Sequence, residues 1–129
     1  MNLVLVEGEA TGEIFVLERP LSFWGGYNPE TGIIVDAAHP QHGEALKGRI
    51  VVMPHGRGSS SSSAVLAEAL RLGTGPAAIV LGEPDQIVIT GVVVARMLYA
   101  VECPVVVGEI PTDARGEWTV SRSGPKPVD

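Results

Sequence analysis

In the middle of the chain, three short apolar runs alternate with segments in which apolar residues recur at helical spacing. Residues 50–53, 78–81 and 104–107 are each short enough to form a buried strand. Between the first two runs, apolar residues recur at helical spacing up to Leu72, and Gly73 stands where a helix ends. The order strand, helix, strand predicts a βαβ unit with parallel strands and a right-handed crossover.

A second helix is predicted from Gln86 to Leu98, although its Val and Ile content leaves a strand open. Gly82-Glu-Pro-Asp85 precedes it at the carboxyl end of a predicted strand, where functional sites of open α/β sheets collect. The simpler interpretation of this segment is a turn in which Asp85 is the N-cap of the helix. Both interpretations stay open at this stage.

The sequence predicts short strands near both ends of the chain. Leu3–Val6 and Glu13–Leu17 predict a first hairpin around a turn at residues 8–13. Glu117–Ser121 predicts the last strand. We therefore expect one domain over residues 1–122 and a mobile tail over residues 123–129.

A glycine- and serine-rich segment separates the first predicted strand from its helix. Pro54 ends the strand, Gly56 and Gly58 permit unusual backbone angles, and five serines follow at residues 59–63. A helix beginning inside this run presents free N–H groups and hydroxyls, which suit a carboxylate or a phosphate. Capping requires only one serine, the segment has no Walker lysine, and it has no Gly-x-Ser-x-Gly elbow.

Composition limits the functional classes. The 129 residues suffice for one domain, and 45% hydrophobic but only 5% aromatic residues predict an aliphatic core. The net charge of -6 without a basic run argues against nucleic acid as a partner. The first residues lack a basic n-region, and no apolar run reaches the roughly 20 residues of a membrane span. We expect a cytoplasmic protein without a membrane partner.

The remaining chemical candidates each have a structural alternative. Phe23, Trp24 and Tyr27 either cap the open end of a small barrel or lie on a surface that Gly25-Gly26 holds open to a substrate or a protein. His39 and His42 have metal-ligand spacing, but no Cys or carboxylate cluster completes a set, so we expect structural roles and no metal site. Cys103 alone cannot hold an iron–sulfur cluster and is expected to be a buried hydrophobic residue.

Several motifs together resemble the aconitase X family. They are Pro54-His-Gly-Arg-Gly-Ser-Ser-Ser61, the segments 20–32 and 39–43, and Gly75-Pro-Ala-Ala-Ile-Val-Leu-Gly-Glu-Pro-Asp85. The resemblance covers residues 7–107 and implies an α/β fold, the swivelling β/β/α domain of the aconitase C-terminal part. It also implies a hydro-lyase, in which the first serine after the second glycine is the base.

Carried over by position, the resemblance makes Ser59 the catalytic residue. It makes Arg57, Gly58, Ser60 and Ser61 the substrate-binding residues. The sequence itself does not separate Ser59 from its neighbour Ser60; only the motif does. The chain departs from aconitase proper at Ser61 and Ser62, where aconitase has an arginine and an acidic residue, so carboxylate recognition is expected to differ. Ser62 and Ser63 lie deeper in the helix and are expected to matter less for chemistry.

The resemblance further implies a larger partner subunit, in a heterodimer or larger assembly, that carries an iron or iron–sulfur centre. No cofactor is expected on this chain. The substrate is expected to be a small carboxylate, cis-3-hydroxy-L-proline first and mevalonate 5-phosphate second. A more distant alternative is a phosphohistidine-type mobile carrier with His55 as its phosphorylated residue, although the usual Gly-Gly-x-x-Ser-His order is missing.

Overall fold

The computed structural model describes residues 3–128. Its strands are, in chain order, β1 (Leu3–Val6), β2 (Ala10–Val16), β3 (Tyr27–Asn28), β4 (Ile33–Ile34), β5 (Ile50–Met53), β6 (Ala78–Leu81), β7 (Val105–Val107), β8 (Glu117–Ser121) and β9 (Gly124–Pro127). Its helical segments are α1 (Phe23–Gly26), α2 (Ser60–Leu72) and α3 (Gln86–Tyr99). Within residues 3–128, no helix is long and apolar enough to cross a membrane.

Seven strands form one mixed sheet in the order β1-β7-β6-β5-β2-β8-β9. The four central strands β7, β6, β5 and β2 are parallel, while β1, β8 and β9 each pair antiparallel with their neighbours. The predicted βαβ unit is therefore present, with β5 directly beside β6. The loops that follow β5 and β6 lie at the same edge of the sheet, and this is where the serine run begins.

Alternation along β5 and β6 sends side chains to both faces of the sheet. Val51, Met53, Ile79 and Leu81 join the larger core cluster, which α2 and α3 cover. The residues between them join a second, smaller cluster with Val120 of β8 and its neighbours on the other face. This double burial explains why both strands read as continuous apolar runs rather than as an alternating pattern.

Helix α2 begins and ends where the sequence predicted. It begins within the serine run and ends at Leu72, where Gly73 adopts a left-handed conformation at φ 79° and donates its N–H to the carbonyls of Ala69 and Leu70. Helix α3 confirms the second predicted helix, and the strand alternative is wrong there. Asp85 is its N-cap and accepts the N–H of Val88 at 3.1 Å.

The predicted N-terminal hairpin is wrong. Both strands exist, but β1 pairs with β7 at one edge of the sheet, whereas β2 lies between β5 and β8. Gly12, expected in the turn, belongs to β2, where a Cβ would collide with the carbonyl of Gly48. The glycine serves a close approach of two backbones rather than a turn.

Strand β8 was predicted, but it is not the last one. Gly124–Pro127, which we expected to be part of a tail, form the edge strand β9 and pair with β8 from Trp118 to Ser121. Pro125 and Pro127 are compatible with this position because an edge strand can dispense with some ladder donors. Asp129 lies outside the described residues.

Candidate active site

The loop from Pro54 to Ser59 connects the carboxyl end of β5 to α2 and is called the serine loop below. Arg57 forms an isolated parallel bridge with Ser22, so the serine loop lies against the segment before α1. Gly58 has φ 106°, and a Cβ there would lie 2.5 Å from Ser62 Oγ and 2.9 Å from Ser22 Oγ. Because both the backbone angle and the lack of space exclude a side chain, this position requires glycine.

The five serines divide into an outer and an inner group. Ser59, Ser60 and Ser61 are exposed at the amino end of α2, whereas Ser62 and Ser63 are buried. Ser59 is the N-cap, and its Oγ accepts the N–H of Ser61 at 3.4 Å. That distance is long for a hydrogen bond, so the hydroxyl of Ser59 is only weakly engaged.

The inner serines have structural roles that the sequence did not reveal. Ser62 Oγ accepts the backbone N–H of Trp24 at 3.2 Å and donates to the carbonyl of Arg57 at 3.3 Å. Ser63 Oγ donates to the carbonyl of Ile87 at 2.7 Å, which ties α2 to α3. The alignment of these hydroxyls with specific backbone groups explains why serine, rather than alanine, continues into the helix.

Positive charge surrounds the outer serines. The amino end of α2 carries the positive end of the helix dipole, and no acidic side chain occupies its first turn. Arg57 is exposed, and within residues 3–128 no carboxylate lies within ion-pair distance of it. This end of α2 is therefore suited to an anionic ligand.

An open groove of about 440 Å³ lies beside the serine loop. Its lining includes two cationic side chains, an acidic one and an exposed indole, namely Arg19, Arg57, Asp36 and Trp24. Of the predicted site residues, Arg57 and Gly58 line this groove. Ser59, Ser60 and Ser61 follow Gly58 in the sequence and are exposed, but they are not among the residues that line the groove. Arg19, Asp36 and Trp24 were not predicted as site residues, since only the fold brings them beside the loop.

The aromatic segment divides between the core and the surface. Phe23 and Tyr27 are buried and pack edge to face with ring centroids 5.3 Å apart. The hydroxyl of Tyr27 donates to the carbonyl of Thr74 at 3.0 Å, and burial raises the pKa of this phenol to about 12. Trp24, by contrast, is 64% exposed. Two of the three aromatics therefore belong to the core, and Trp24 alone faces outward at the rim of the groove.

Two other candidates, His39 and Cys103, have structural positions. His39 is buried, and its ring bonds the carbonyl of Arg19 at 3.2 Å and the N–H of Gln41 at 3.0 Å. Cys103 is buried, and desolvation raises its thiol pKa to about 12, so a thiolate is not available near neutral pH. His42 and His55 are exposed, and within residues 3–128 no three His, Cys, Asp or Glu side chains are grouped to hold a metal ion.

Comparison with known proteins identifies the family of this domain. The model of the aconitase X swivel domain matches residues 2–120. The chain is 44% identical over 101 residues to a cis-3-hydroxy-L-proline dehydratase of Pseudomonas aeruginosa, covering 78% of this chain and 17% of the relative. It is 43% identical over 91 residues to the phosphomevalonate dehydratase small subunit of Thermococcus gammatolerans, covering 70% of both chains.

A solved structure shows the same fold over the whole chain. The crystal structure of Thermococcus kodakaraensis aconitase X in its holo-form superposes with a TM-score of 0.85 at 32% identity, covering 100% of this chain and 99% of that one. The chain spans only 17% of the length of the hydroxyproline dehydratase that it matches, so the same domain occurs within longer chains and as a separate subunit. By its sequence and by its fold, this chain belongs to the aconitase X swivel-domain family.

Proposed function

We propose that this chain is the small, swivel-type component of an aconitase X hydro-lyase and that Ser59 is its catalytic base. The observation that carries the proposal is the position of Ser59. Its hydroxyl is exposed and weakly bonded at the amino end of α2, directly after Gly58, whose positive φ excludes any other residue there. Relatives bearing dehydratase names share this domain, which supports the reaction class.

In the proposed reaction, Ser59 Oγ takes a proton from the carbon next to the substrate carboxylate. The electron pair of that C–H bond forms the new double bond, and the hydroxyl on the neighbouring carbon leaves with its bonding pair as hydroxide, so that this hydroxide and the proton taken by Ser59 together make up the water that is lost. A serine alkoxide needs strong stabilisation to act as a base. The dipole of α2, its free N–H groups and the guanidinium of Arg57 can supply it, and the first two are fixed by the fold before the substrate arrives.

The same segment binds the substrate carboxylate in this proposal. Arg57 offers a bidentate grip, while the backbone at Gly58 and the hydroxyls of Ser60 and Ser61 offer further donors. The accessible backbone at Gly58 supports this role because no side chain blocks the approach of an anion there. Together these residues can orient the carboxylate so that the neighbouring carbon faces Ser59.

The described residues do not fit an iron centre. They offer one cysteine, which is buried and protonated, and no grouped carboxylates or histidines. We therefore assign any iron or iron–sulfur centre of the complex to a larger partner chain. The name small subunit, borne by relatives of similar length, supports such a partner.

For the substrate we favour cis-3-hydroxy-L-proline, with mevalonate 5-phosphate as the second candidate. Hydroxyproline carries a carboxylate and an ammonium group, whereas mevalonate 5-phosphate carries two anionic groups. The groove beside the serine loop contains Asp36 as well as Arg57, which suits a zwitterion. Arg19 in the same groove is the feature that favours the second, doubly anionic candidate.

The test is reconstitution of the chain with a large aconitase X-type subunit. We expect the isolated chain to be inactive with both substrates and the complex to dehydrate one of them, monitored by product formation. Arg57→Lys should raise KM strongly because lysine cannot reproduce a bidentate grip. Turnover by the isolated chain, or a complex that is inactive with every 3-hydroxy acid tested, would contradict the proposal.

A further inference from the structure

Asp85 joins two separate parts of the candidate site through one carboxylate. Its Oδ1 accepts the N–H of Val88 at 3.1 Å and so caps α3. Its Oδ2 accepts the N–H of Gly56, in the middle of the serine loop, at 2.9 Å. Because hydrogen bonds to a charged acceptor are stronger than neutral ones, both contacts constrain their partners more than ordinary loop hydrogen bonds do.

The amino ends of α2 and α3 form a rigid support for this contact. Ser63 Oγ bonds the carbonyl of Ile87 across the two helices. At Gly91 a Cβ would lie 2.8 Å from the carbonyl of Ser63, so the helices approach more closely there than a side chain would allow. Asp85, at the start of α3, therefore attaches the serine loop to a support that cannot shift easily.

Gly56 is the point at which the serine loop is held. It is buried, and a Cβ at this residue would lie 3.0 Å from Asp85 Oδ1 and 3.1 Å from Val88 Cγ2. Arg57 follows it directly, and Ser59 comes three residues later. A displacement of Gly56 would thus be passed along a short stretch of backbone to both the proposed carboxylate ligand and the proposed base.

We propose that Asp85 is a positioning residue, which holds Gly56 so that Arg57 and Ser59 keep a productive orientation toward the substrate. This inference rests on the proposed function of Ser59. Asp85 itself does not touch the substrate; it acts through the backbone of the serine loop. Small misplacements of reacting groups slow a reaction strongly. Loss of this contact therefore lowers kcat substantially while it changes the thermal stability of the chain only slightly.

Two substitutions separate the contact with Gly56 from the helix cap. Asp85→Ser retains a good N-cap for α3, but the serine side chain is shorter and has only one oxygen. It therefore cannot also accept the N–H of Gly56. Asp85→Asn keeps the size but has one acceptor oxygen, so one of the two N–H groups faces an amide donor. Ser63→Ala is the matched control, because it weakens the joint between α2 and α3 without a direct contact to Gly56.

Amide hydrogen exchange of the full chain tests the contact without substrate or partner. We expect Asp85→Ser to speed exchange at Gly56 by about tenfold or more, while the amide of Val88 stays protected. In the reconstituted complex, kcat should fall by about tenfold or more with KM changed far less, whereas Ser63→Ala should lower thermal stability and leave kcat near normal. Asp85→Asn should lose kcat in proportion to the increase in exchange at Gly56 that it causes, which covers the case in which the serine variant folds poorly.

Unchanged exchange at Gly56 in both variants would overturn the inference. It would also be overturned if the kcat loss were no larger than that of Ser63→Ala. If exchange at Gly56 changes as expected but the wild-type complex is inactive, the proposed function is wrong, whereas the contact between Asp85 and Gly56 is confirmed. The two failures are therefore distinguishable.

Discussion

The outer and inner serines of α2 are the same residue in one uninterrupted run, yet the structure gives them opposite environments. Ser59, Ser60 and Ser61 are exposed, whereas Ser62 and Ser63 are buried. The inner hydroxyls bond backbone groups of other segments, while that of Ser59 is bonded only weakly within its own turn. A repeated residue can therefore be accessible to a ligand at one end of a run and support the fold at the other, depending on how far into the helix it lies.

The largest effect is expected when the hydroxyl of Ser59 is removed. Ser59→Ala in the reconstituted complex should reduce kcat by roughly 10²-fold or more, the usual scale for loss of a general base. Ser59→Gly should cause the same loss, although glycine is a better N-cap than alanine and costs only a few tenths of a kcal/mol. Steady-state kinetics and thermal melting of both variants provide the check.

Ser60→Ala is the matched control for that experiment. If Ser59→Ala keeps near-normal turnover while Ser60→Ala loses it, then Ser60 is the base and the assignment by position is wrong. If the kcat loss of Ser59→Ala is absent from Ser59→Gly and follows stability across the two variants, the hydroxyl acts as a cap and not as a base.

A second substitution tests the exposed side chain of Trp24 at the rim of the groove. The backbone of Trp24 is held by the inner serine Ser62, but its side chain is 64% exposed. Trp24→Ala should therefore leave the stability of the chain unchanged and weaken binding of the large subunit by about 2 kcal/mol, the scale of an interface hot spot. Isothermal titration with the partner measures this loss.

Phe23→Ala is the contrasting variant, because Phe23 is buried in the core. It should cost about 3–5 kcal/mol of unfolding free energy. An unchanged partner affinity in Trp24→Ala, together with a loss of stability, would place Trp24 with the core aromatics instead.

A third change tests the inner serines directly. Ser63→Ala leaves the buried carbonyl of Ile87 without its hydroxyl donor, and such a loss costs about 1–3 kcal/mol. Ser62→Ala should cost a similar amount because its hydroxyl serves both Trp24 and Arg57. Chemical denaturation of the isolated chain checks both values, and a cost below 0.5 kcal/mol for Ser63→Ala would deny the inner serines a structural role.

The smallest effect is expected at Ser61. Its side chain is exposed, so Ser61→Ala should change the free energy of unfolding by no more than about 0.5 kcal/mol. If its hydroxyl helps to bind the substrate, KM should rise a few-fold with kcat unchanged. A stability loss as large as that of Ser63→Ala would remove the distinction between outer and inner serines.

The regular elements around the site were predictable because local signals agree with the fold. The apolar run at residues 50–53, the periodicity up to Leu72 and Gly73 at the helix end all appeared where expected. A cap of α3 at Asp85 was one of the two interpretations of residues 82–85 that the sequence left open, and the structure confirms it. What the sequence did not show is that the second oxygen of the same carboxylate reaches Gly56, because the two residues lie in different loops.

Strand pairing was less predictable than strand position. β1 and β2 were expected to pair with each other, as neighbours in sequence often do. Instead β1 pairs with β7 and forms the edge of the sheet, while β2 lies between β5 and β8, because each side of the parallel core needs a hydrogen-bonding partner. The same demand brings β9 onto β8 at the far edge of the sheet.

By itself the sequence determined the βαβ unit, the glycine-dependent turn and the helix start within the serine run, since each depends on residues close together in the chain. Only the tertiary structure decided which serines are accessible and that Phe23 and Tyr27 are buried while Trp24 is exposed. It alone brought Arg19 and Asp36 beside Arg57 in one groove. Burial and contacts between distant segments depend on how the helices and loops pack on the sheet, and that information is not contained in any local window of sequence.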